Sequence, residues 1–465
     1  MVTTPSGKPR KPVLRSKRQT PQTSPASTPP ASTGPASRTG KPGAAAPSVP
    51  AAAGKTRGRG ARKNAAPDKS PSLLERGIIV LEGSRRKATG SAYYTILGAA
   101  LALTAIGLMM VLSASSVESI AASAGESAGS TFGFFMKQAL FAALGILAML
   151  VLSRLGPRTY RKLAWVALAG AVILLVLVFI PGIGKEVGGN RNWIEIGPLT
   201  GQPSEAAKLA MAVWFASVLS TKQKLLTEWK HALVPVVPGG GLLIGLVLLG
   251  RDLGTVIIMG LIMIAALFFA GAPLRFVAAL VAAGGAGAVL MSMLSGNRTG
   301  RISAWLGQDC GAGLCDQANA GMYALASGGW FGVGIGQSRQ KWSWIPEAHN
   351  DFIFAIIGEE FGLLGTLLIV LLFGVLAVAT IRMTMRHTDP FIRIVCGSIL
   401  VWIIGQAFVN IAMVTGLLPV IGVPLPFISY GGSSLTFTLA AVGVLLSFAR
   451  KIPEHKIPES EPSAP

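Results

Sequence analysis

The stretch 253-LGTVIIMGLIMIAALFFAG-271 runs for 19 residues without a charged side chain. Wound as a helix rising about 1.5 Å per residue, a run of this length crosses a hydrocarbon layer roughly 30 Å thick. Nine further runs read the same way: 94–114, 133–153, 163–181, 204–221, 233–250, 276–296, 352–380, 395–416 and 433–449. None alternates polar and apolar residues as a closed barrel would, so the spans are helices. Composition agrees, with 51% hydrophobic residues, 13% charged ones and a mean hydropathy of +0.57, outside the range of an ordinary soluble domain. The expected fold is an all-α polytopic membrane protein of about ten transmembrane helices.

Orientation follows from the basic connections 154-RLGPRTYRK-162, 222-KQKLLTEWKH-231 and 382-RMTMRHTDPFIR-393. With ten spans these share one side with both termini, and basic short loops mark the cytoplasmic side. The connections 115–132, 182–203, 297–351 and 417–432 then face outward. The largest, 297–351, lies between the seventh and eighth spans.

The net charge of +21 suggests nucleic acid only until it is located. Residues 1–90 hold 18 Lys and Arg against three acids (Asp68, Glu75, Glu82), a net +15. This segment is Pro, Ala, Ser and Thr rich, as in 21-PQTSPASTPPASTGPAS-37, and is expected to be a disordered cytoplasmic tail. Its 84-SRRK-87 reads as an orienting element that meets anionic lipid. No nucleic-acid partner is expected. Residues 91–452 form the expected membrane domain and 453–465 a short C-terminal tail.

Cys310 and Cys315 share the long outward loop in 309-DCGAGLC-315, where oxidising conditions permit a disulfide closing a small ring. No nearby His or Cys completes a zinc set. Cys396 reads as a small packed residue.

Charges inside the spans carry the functional signal, because each costs about 2.5–3.5 kcal/mol on insertion scales and must face protein or a wet cavity. Glu205 and Lys208 stand at i, i+3, spaced for an ion pair that either locks helix packing or walls a polar cavity. In 346-PEAHNDFIFAIIGEEFG-362, Asp351 opens a span that also holds Glu359 and Glu360. Helical periodicity returns Glu359 near the face of Asp351. Asp351 is placed equally well to cap that helix or to act as a base. Gln406 and Asn410 form an i, i+4 polar stripe that reads as interhelical glue. In 188-GGNRNWIEIGPLTGQPSEAAK-208, Arg191 is suited to a phosphate and Trp193 to a sugar ring or to the membrane interface. The loop 417-LLPVIGVPLPFISYGGSSLTF-437 breaks one span and starts another, and the helix opening at Ser433-Ser434 is a potential anion site.

The segments 202-QPSEAAKLA-210, 321-GMYALASGGWFGVGIGQS-338, 346-PEAHNDFIFAIIGEEFGLLG-365 and 410-NIAMVTGLLPVIGVPLPFISYGGSSL-435 resemble the SEDS (shape, elongation, division and sporulation) proteins over roughly residues 90–452. Within that family, PEAH followed by IIGEE is closer to the FtsW division type than to the RodA elongation type. The resemblance implies a peptidoglycan glycosyltransferase in the cytoplasmic membrane, at the division septum. It would polymerise lipid II on the outer face, with a class B penicillin-binding transpeptidase and other divisome membrane proteins as partners. It places the family's aspartate, the base, on Asp351, its Glu and Lys on Glu205 and Lys208 and its loop arginine on Arg191; Trp193, Lys341, His349 and Ser433 join these as expected substrate contacts, with Arg191, Lys208 and Lys341 as candidates to face the leaving pyrophosphate. A divalent cation, Mg or Mn, held with the help of acids such as Glu205, is a further expectation. Three departures stand out: Asn192 replaces the second Arg of the family's Gly-Ala-Arg-Arg-Trp, 349-HND-351 replaces His-Thr-Asp, and 250-GRDLGT-255 replaces Gln-Pro-Asp-Leu-Gly-Thr. A lipid II flippase and a non-catalytic scaffold for the transpeptidase are the rival readings.

Overall fold

The computed structural model describes residues 88–123, 132–187, 189–197, 199–293, 296–308, 315–340 and 349–450. The expected tails, apart from residues 88–90, which begin the first helix, lie outside them, as do Cys310 and Lys341. The helices in chain order are α1 (Ala88–Ser123), α2 (Gly133–Leu152), α3 (Pro157–Leu177), α4 (Pro203–Thr221), α5 (Trp229–Leu249), α6 (Leu253–Ala270) and α7 (Leu274–Met293). After them come α8 (Gly296–Trp305), α9 (Asp316–Gly328), α10 (Ile353–Arg386), α11 (Pro390–Val414) and α12 (Gly432–Ala449). Among the described residues nine of these are long and apolar enough to cross a membrane. α4 is not one of the nine: it has 19 residues but carries Glu205 and Lys208. It serves as the central helix instead, packed by α3, α5, α6, α11 and α12. Its charges therefore meet protein and not lipid, as the cost of an intramembrane charge requires.

The spans expected as fifth and sixth are separated by two residues only, and the structure confirms the break. Arg251 takes a left-handed conformation (φ 66°), which no helix can continue. Asp252 then caps α6, its Oδ1 accepting from Thr255 N at 3.0 Å and its Oδ2 from Thr255 Oγ1 at 2.9 Å. α2 and α12 approach closely because Gly145 and Gly443 face the partner helix. A Cβ at Gly443 would stand 2.6 Å from Met149 O and one at Gly145 2.7 Å from Leu439 Cδ1, as expected where small residues let membrane helices touch.

Two outward connections are more structured than expected. The 182–203 segment, read as loop, folds into an antiparallel sheet in the order β1 (Gly184–Val187), β2 (Asn190–Ile196), β3 (Leu199–Gly201). Gly189 (φ 78°) and Gly197 (φ 60°) supply the turns between strands. The chain is thus a mostly helical membrane protein, as expected, with one small β element added between α3 and α4. The 297–351 loop contains α8 and α9 among its described residues.

The largest difference lies inside α10. Gly362 has φ 67° and ψ −163°, so two helices meet there across a kink. The backbone groups freed by the kink find partners in the segment after α9. Val333 N donates to Glu359 O (2.9 Å) and Gly334 N to Glu360 O (3.1 Å), while Leu363 N donates to Gly329 O (2.9 Å) and Leu364 N to Trp330 O (3.3 Å). Irregular backbone within a span is tolerated only when satisfied in this way. The approach is close enough that a Cβ on Gly332 would stand 2.1 Å from Glu360 O.

Contacts between connections follow the ten-span alternation. On the basic side, Arg161 pairs with Asp389 (2.6 Å), Ser447 Oγ donates to Leu155 O (2.6 Å) and His387 Nε2 lies 3.2 Å from Phe448 O. On the opposite side, Asn192 Nδ2 donates to Asp252 Oδ2 (2.8 Å), Trp305 Nε1 to Gly416 O (2.8 Å) and Tyr430 N to His349 O (2.9 Å). No described pair among these joins connections assigned to opposite faces. We predict that a membrane-impermeant maleimide labels Arg339→Cys in intact cells and labels Gln223→Cys only after permeabilisation. Both positions are exposed, and labelling of both from one side would refute the alternation.

Candidate functional site

The residues singled out from sequence converge on the outer connection 415–431. Asn410, fully buried on α11, donates from Nδ2 to Asp351 O (2.8 Å) and to Val423 O (2.7 Å). One amide group thus clamps the Asp351 backbone to the connection. Next to Val423 is Gly422, at φ 77°, and the space where its Cβ would be lies 3.4 Å from Asp351 Oδ2. The carboxylate sits over this glycine, half-buried at the rim. Ser429 Oγ donates to Asn350 O (2.7 Å) and accepts from Leu425 N (2.7 Å). His349, buried, packs with Phe134 and Tyr430 at ring-centroid distances of 5.2 and 5.3 Å.

Asp351 does not occupy the capping position of α10. That position is Phe352, which makes no side-chain cap bond, and the helix begins at Ile353. For the same reason the helical periodicity that put Asp351 and Glu359 on one face fails, since 351–352 form a turn. The two deeper acids point to separate neighbours. Ser113 Oγ donates to both oxygens of Glu360 (2.6 and 2.8 Å). Glu359 accepts from Ser338 Oγ (2.5 Å) and Arg339 N (2.9 Å), and so anchors the segment that follows the Gly362 kink partners.

Beneath the connection lies the ion pair of α4. Lys208 Nζ donates to Glu205 Oε1 (3.0 Å) and Gln406 Oε1 (2.9 Å) and stands 5.0 Å from the Trp402 ring centroid. Glu205 Oε2 is also 2.9 Å from Nζ but off the hydrogen-bond directions, so one hydrogen bond and direct attraction hold the pair. Gln406 accepts from Trp402 Nε1 (3.0 Å) and donates from Nε2 to Pro424 O (2.9 Å). A continuous chain therefore runs from Asp351 through Asn410, Val423, Pro424 and Gln406 to Lys208 and Glu205.

The sheet joins this assembly from the side. Asp252 Oδ2 accepts from Asn192 Nδ2 (2.8 Å) and Gln202 Nε2 (2.9 Å), and Gln202 N donates to Ser433 Oγ (3.1 Å). Arg191 N donates to Gly250 O (3.0 Å), and Trp193 pairs with Lys185 in the β1–β2 register. A small cavity lies between α3, α4, α5 and β2, lined by Arg191, Asn192 and Ser204 among others. Asn192 Oδ1 and Ser204 Oγ are buried there without a hydrogen-bond partner.

This arrangement has counterparts. Residues 94–453 match the family model for FtsW, RodA and SpoVE, described as cell cycle protein. The chain belongs to this family. It is 40% identical over 369 residues to a Mycobacterium tuberculosis protein named "Probable peptidoglycan glycosyltransferase FtsW", covering 78% of this chain and 69% of that one. It is 40% identical over 356 residues to stage V sporulation protein E of Bacillus subtilis, covering 75% and 94%. Among solved structures, the RodA rod shape determining protein of Thermus thermophilus superposes with a TM-score of 0.57 at 25% identity, covering 78% of this chain and 97% of that chain. A chain of a peptidoglycan synthase complex superposes with a TM-score of 0.61 at 24% identity, covering 77% and 97%, which bears on fold alone.

Two of this family member's substitutions find a structural setting here. Asn192 ties β2 to Asp252, and the altered 250–252 turn is the one on which β2 docks. Cys315 is in a disulfide, while its expected partner Cys310 lies outside the described residues, as does Lys341. Glu205 does not fit as a ligand for a divalent cation, since an ammonium already holds its carboxylate. Among the described residues no three His, Cys, Asp or Glu side chains gather as a metal set. The Gln202–Asp252–Asn192 bridge escaped the reading of the sequence, although Asp three residues before Thr255 is a capping signal.

Lys208 and Glu205 are 1% and 2% exposed, so stripping one partner leaves a buried charge uncompensated. Lys208→Met is expected to cost about 3–5 kcal/mol, while Lys208→Met with Glu205→Gln recovers most of that loss. Thermal unfolding of the purified variants checks this. Equal losses in the single and double variants would show that the charge pairing is not what holds α4.

Proposed function

We propose that this chain is a peptidoglycan glycosyltransferase that polymerises lipid II at the outer face of the cytoplasmic membrane, with Asp351 as general base. The observation that carries the reading is the carboxylate itself: at the outer rim, over Gly422, its backbone clamped by Asn410, and away from the helix-capping position. Lipid-linked glycosyl transfer needs a base for the proton of the attacking sugar hydroxyl and positive charge for the departing pyrophosphate. Asp351 takes that proton as the new glycosidic bond forms. The bond from the donor sugar to pyrophosphate breaks, and undecaprenyl pyrophosphate leaves with the electron pair. In this scheme Arg191, which lines a cavity with the unpartnered Ser204 hydroxyl, takes the pyrophosphate, and Lys341 is assigned the same role from the sequence. Lys208 and Glu205 are sealed from the rim and brace the connection that carries Gly422, so their effect on substrate is through position. Ser433, His349 and Trp193 are the further substrate contacts of this reading. A class B penicillin-binding transpeptidase, other divisome membrane proteins and a septal location belong to the same proposal, supported by the family's description as cell cycle protein and by the peptidoglycan synthase complex to which a structural neighbour belongs.

Asp351→Asn keeps side-chain size and removes the proton acceptor. Purified full-length variant, supplied with lipid II and its transpeptidase, is expected to make glycan about 10²–10⁴-fold more slowly than the parent while unfolding at the same temperature. Near-parental polymerisation by the folded variant would remove Asp351 from the base role.

A further inference from the structure

Most of α2 is not buried in the protein, and its buried residues are Gln138, Ala142, Gly145 and Met149. Gln138 is the polar one among them and is 1% exposed. A primary amide inside a span needs protein partners for its donor and its acceptor. Gln138 finds both on the outer connection. Its Nε2 donates to Ser429 O (3.2 Å) and its Oε1 accepts from Gly431 N (3.2 Å), so the amide straddles Tyr430. Phe134, one turn earlier on α2, packs against the rings of Tyr430 and His349 at 5.3 and 5.2 Å.

This grip is passed on to the candidate base. Three consecutive carbonyls ending at Asp351 are each taken: His349 O by Tyr430 N (2.9 Å), Asn350 O by Ser429 Oγ (2.7 Å) and Asp351 O by Asn410 Nδ2 (2.8 Å). The first two donors belong to residues 429 and 430, which Gln138 holds from behind. The third comes from α11. Since Asp351 stands ahead of α10, these bonds do for its backbone what helical geometry does for residues within a span. A reacting group misplaced by about 1 Å can lose about 10²-fold in rate, so slack in 429–431 reaches the chemistry.

We infer, resting on the reading of Asp351 as general base, that Gln138 is a positioning residue for glycosyl transfer, acting through Ser429 and Tyr430 on the Asp351 carboxylate. Control over turnover, and not over substrate binding, thereby falls to α2, a helix that contributes no group to the chemistry. The rival is interhelical glue. Thr436 Oγ1, which donates to Phe141 O (3.0 Å), joins α2 to α12 about one turn further along and provides the comparison.

The test compares the purified full-length parent, Gln138→Met, Asp351→Asn and the double variant, each supplied with lipid II and its transpeptidase, with unfolding temperatures measured alongside. Gln138→Met removes both bonds and is expected to lower kcat about 10²-fold, with KM for lipid II within about three-fold. On the Asp351→Asn background the same change should lower the residual rate no more than about two-fold, because the group it positions is already gone. Gln138→Glu, buried and so held protonated, can again donate to Ser429 O and accept from Gly431 N, and should bring turnover most of the way back. Thr436→Val should leave kcat within about two-fold of the parent. Ser429→Ala cuts the next link with Gln138 in place and serves where Gln138→Met melts below the parent; it should show the same fall in kcat at unchanged KM and the same silence beside Asp351→Asn. A further full loss on the Asp351→Asn background, a rise in KM at unchanged kcat, or equal losses from Thr436→Val and Gln138→Met would reduce Gln138 to glue. A slow Asp351→Asn beside a near-parental Gln138→Met overturns the positioning role alone, whereas a near-parental Asp351→Asn overturns the base reading and the positioning role with it.

Discussion

An ammonium buried at the centre of a membrane bundle is the constraint on which the outer architecture rests. Lys208 is buried there against Glu205, and such a pair cannot stay dry without hydrogen bonds to its remaining donors and acceptors. Gln406 supplies one of those bonds, and its other end is spent on the carbonyl of Pro424. Buried ion pairs are weak sources of net stability, but they punish any arrangement that separates them. Here the penalty falls on displacement of α4, α11 or the 415–431 connection. The position of Gly422, and of the carboxylate above it, follows from where Lys208 is forced to be.

The kink at Gly362 is a second constraint of the same kind. A broken helix frees carbonyls and amides that lipid cannot satisfy. The 329–334 segment satisfies them, and it can come close enough only because Gly332 and Gly362 lack side chains. Glu359, the last acid before the kink but one, then takes Ser338 and Arg339 of the same excursion. The long outward connection is thus held at two successive points by one break in α10. This gives the acids of the eighth span a structural task, anchoring polypeptide and not lining an acidic wall.

The spans were legible because a membrane demands long apolar runs, and the charged fourth span could be read as facing protein because the cost of charge in lipid leaves no other choice. The alternation of the connections between two faces was legible from the order of the spans. What periodicity could not show were features made by residues distant in sequence. Gly362 inside an apolar run reads as a tolerated glycine, and only the return of residues 329–334 turns it into a kink. Of the strands at 184–201, β1 and β3 are too short to show alternation and the adjacent Trp193 and Ile194 interrupt it in β2, which docks on Gly250 through Arg191 N. Asp351 reads from sequence as opening the span, whereas the helix starts two residues later, at Ile353, a shift of the size by which helix ends ordinarily vary.

The i, i+4 stripe on α11 shows how a bland feature becomes the link between these parts. Gln406 and Asn410 are one turn apart, about 6 Å along the helix axis, and each donates to a carbonyl of the same passing strand of chain, Pro424 and Val423 respectively. Consecutive carbonyls of extended backbone point to opposite sides, so the chain must twist at this point for both to meet one helix face. Gly422, at φ 77°, lies immediately before them, where a left-handed residue can supply such a turn. The same glycine leaves room for Asp351, whose backbone takes the second donor of Asn410. A side chain at position 422 would therefore act on both, straining the turn that lets α11 grip the connection and bringing its Cβ into contact with the carboxylate that the grip holds in place.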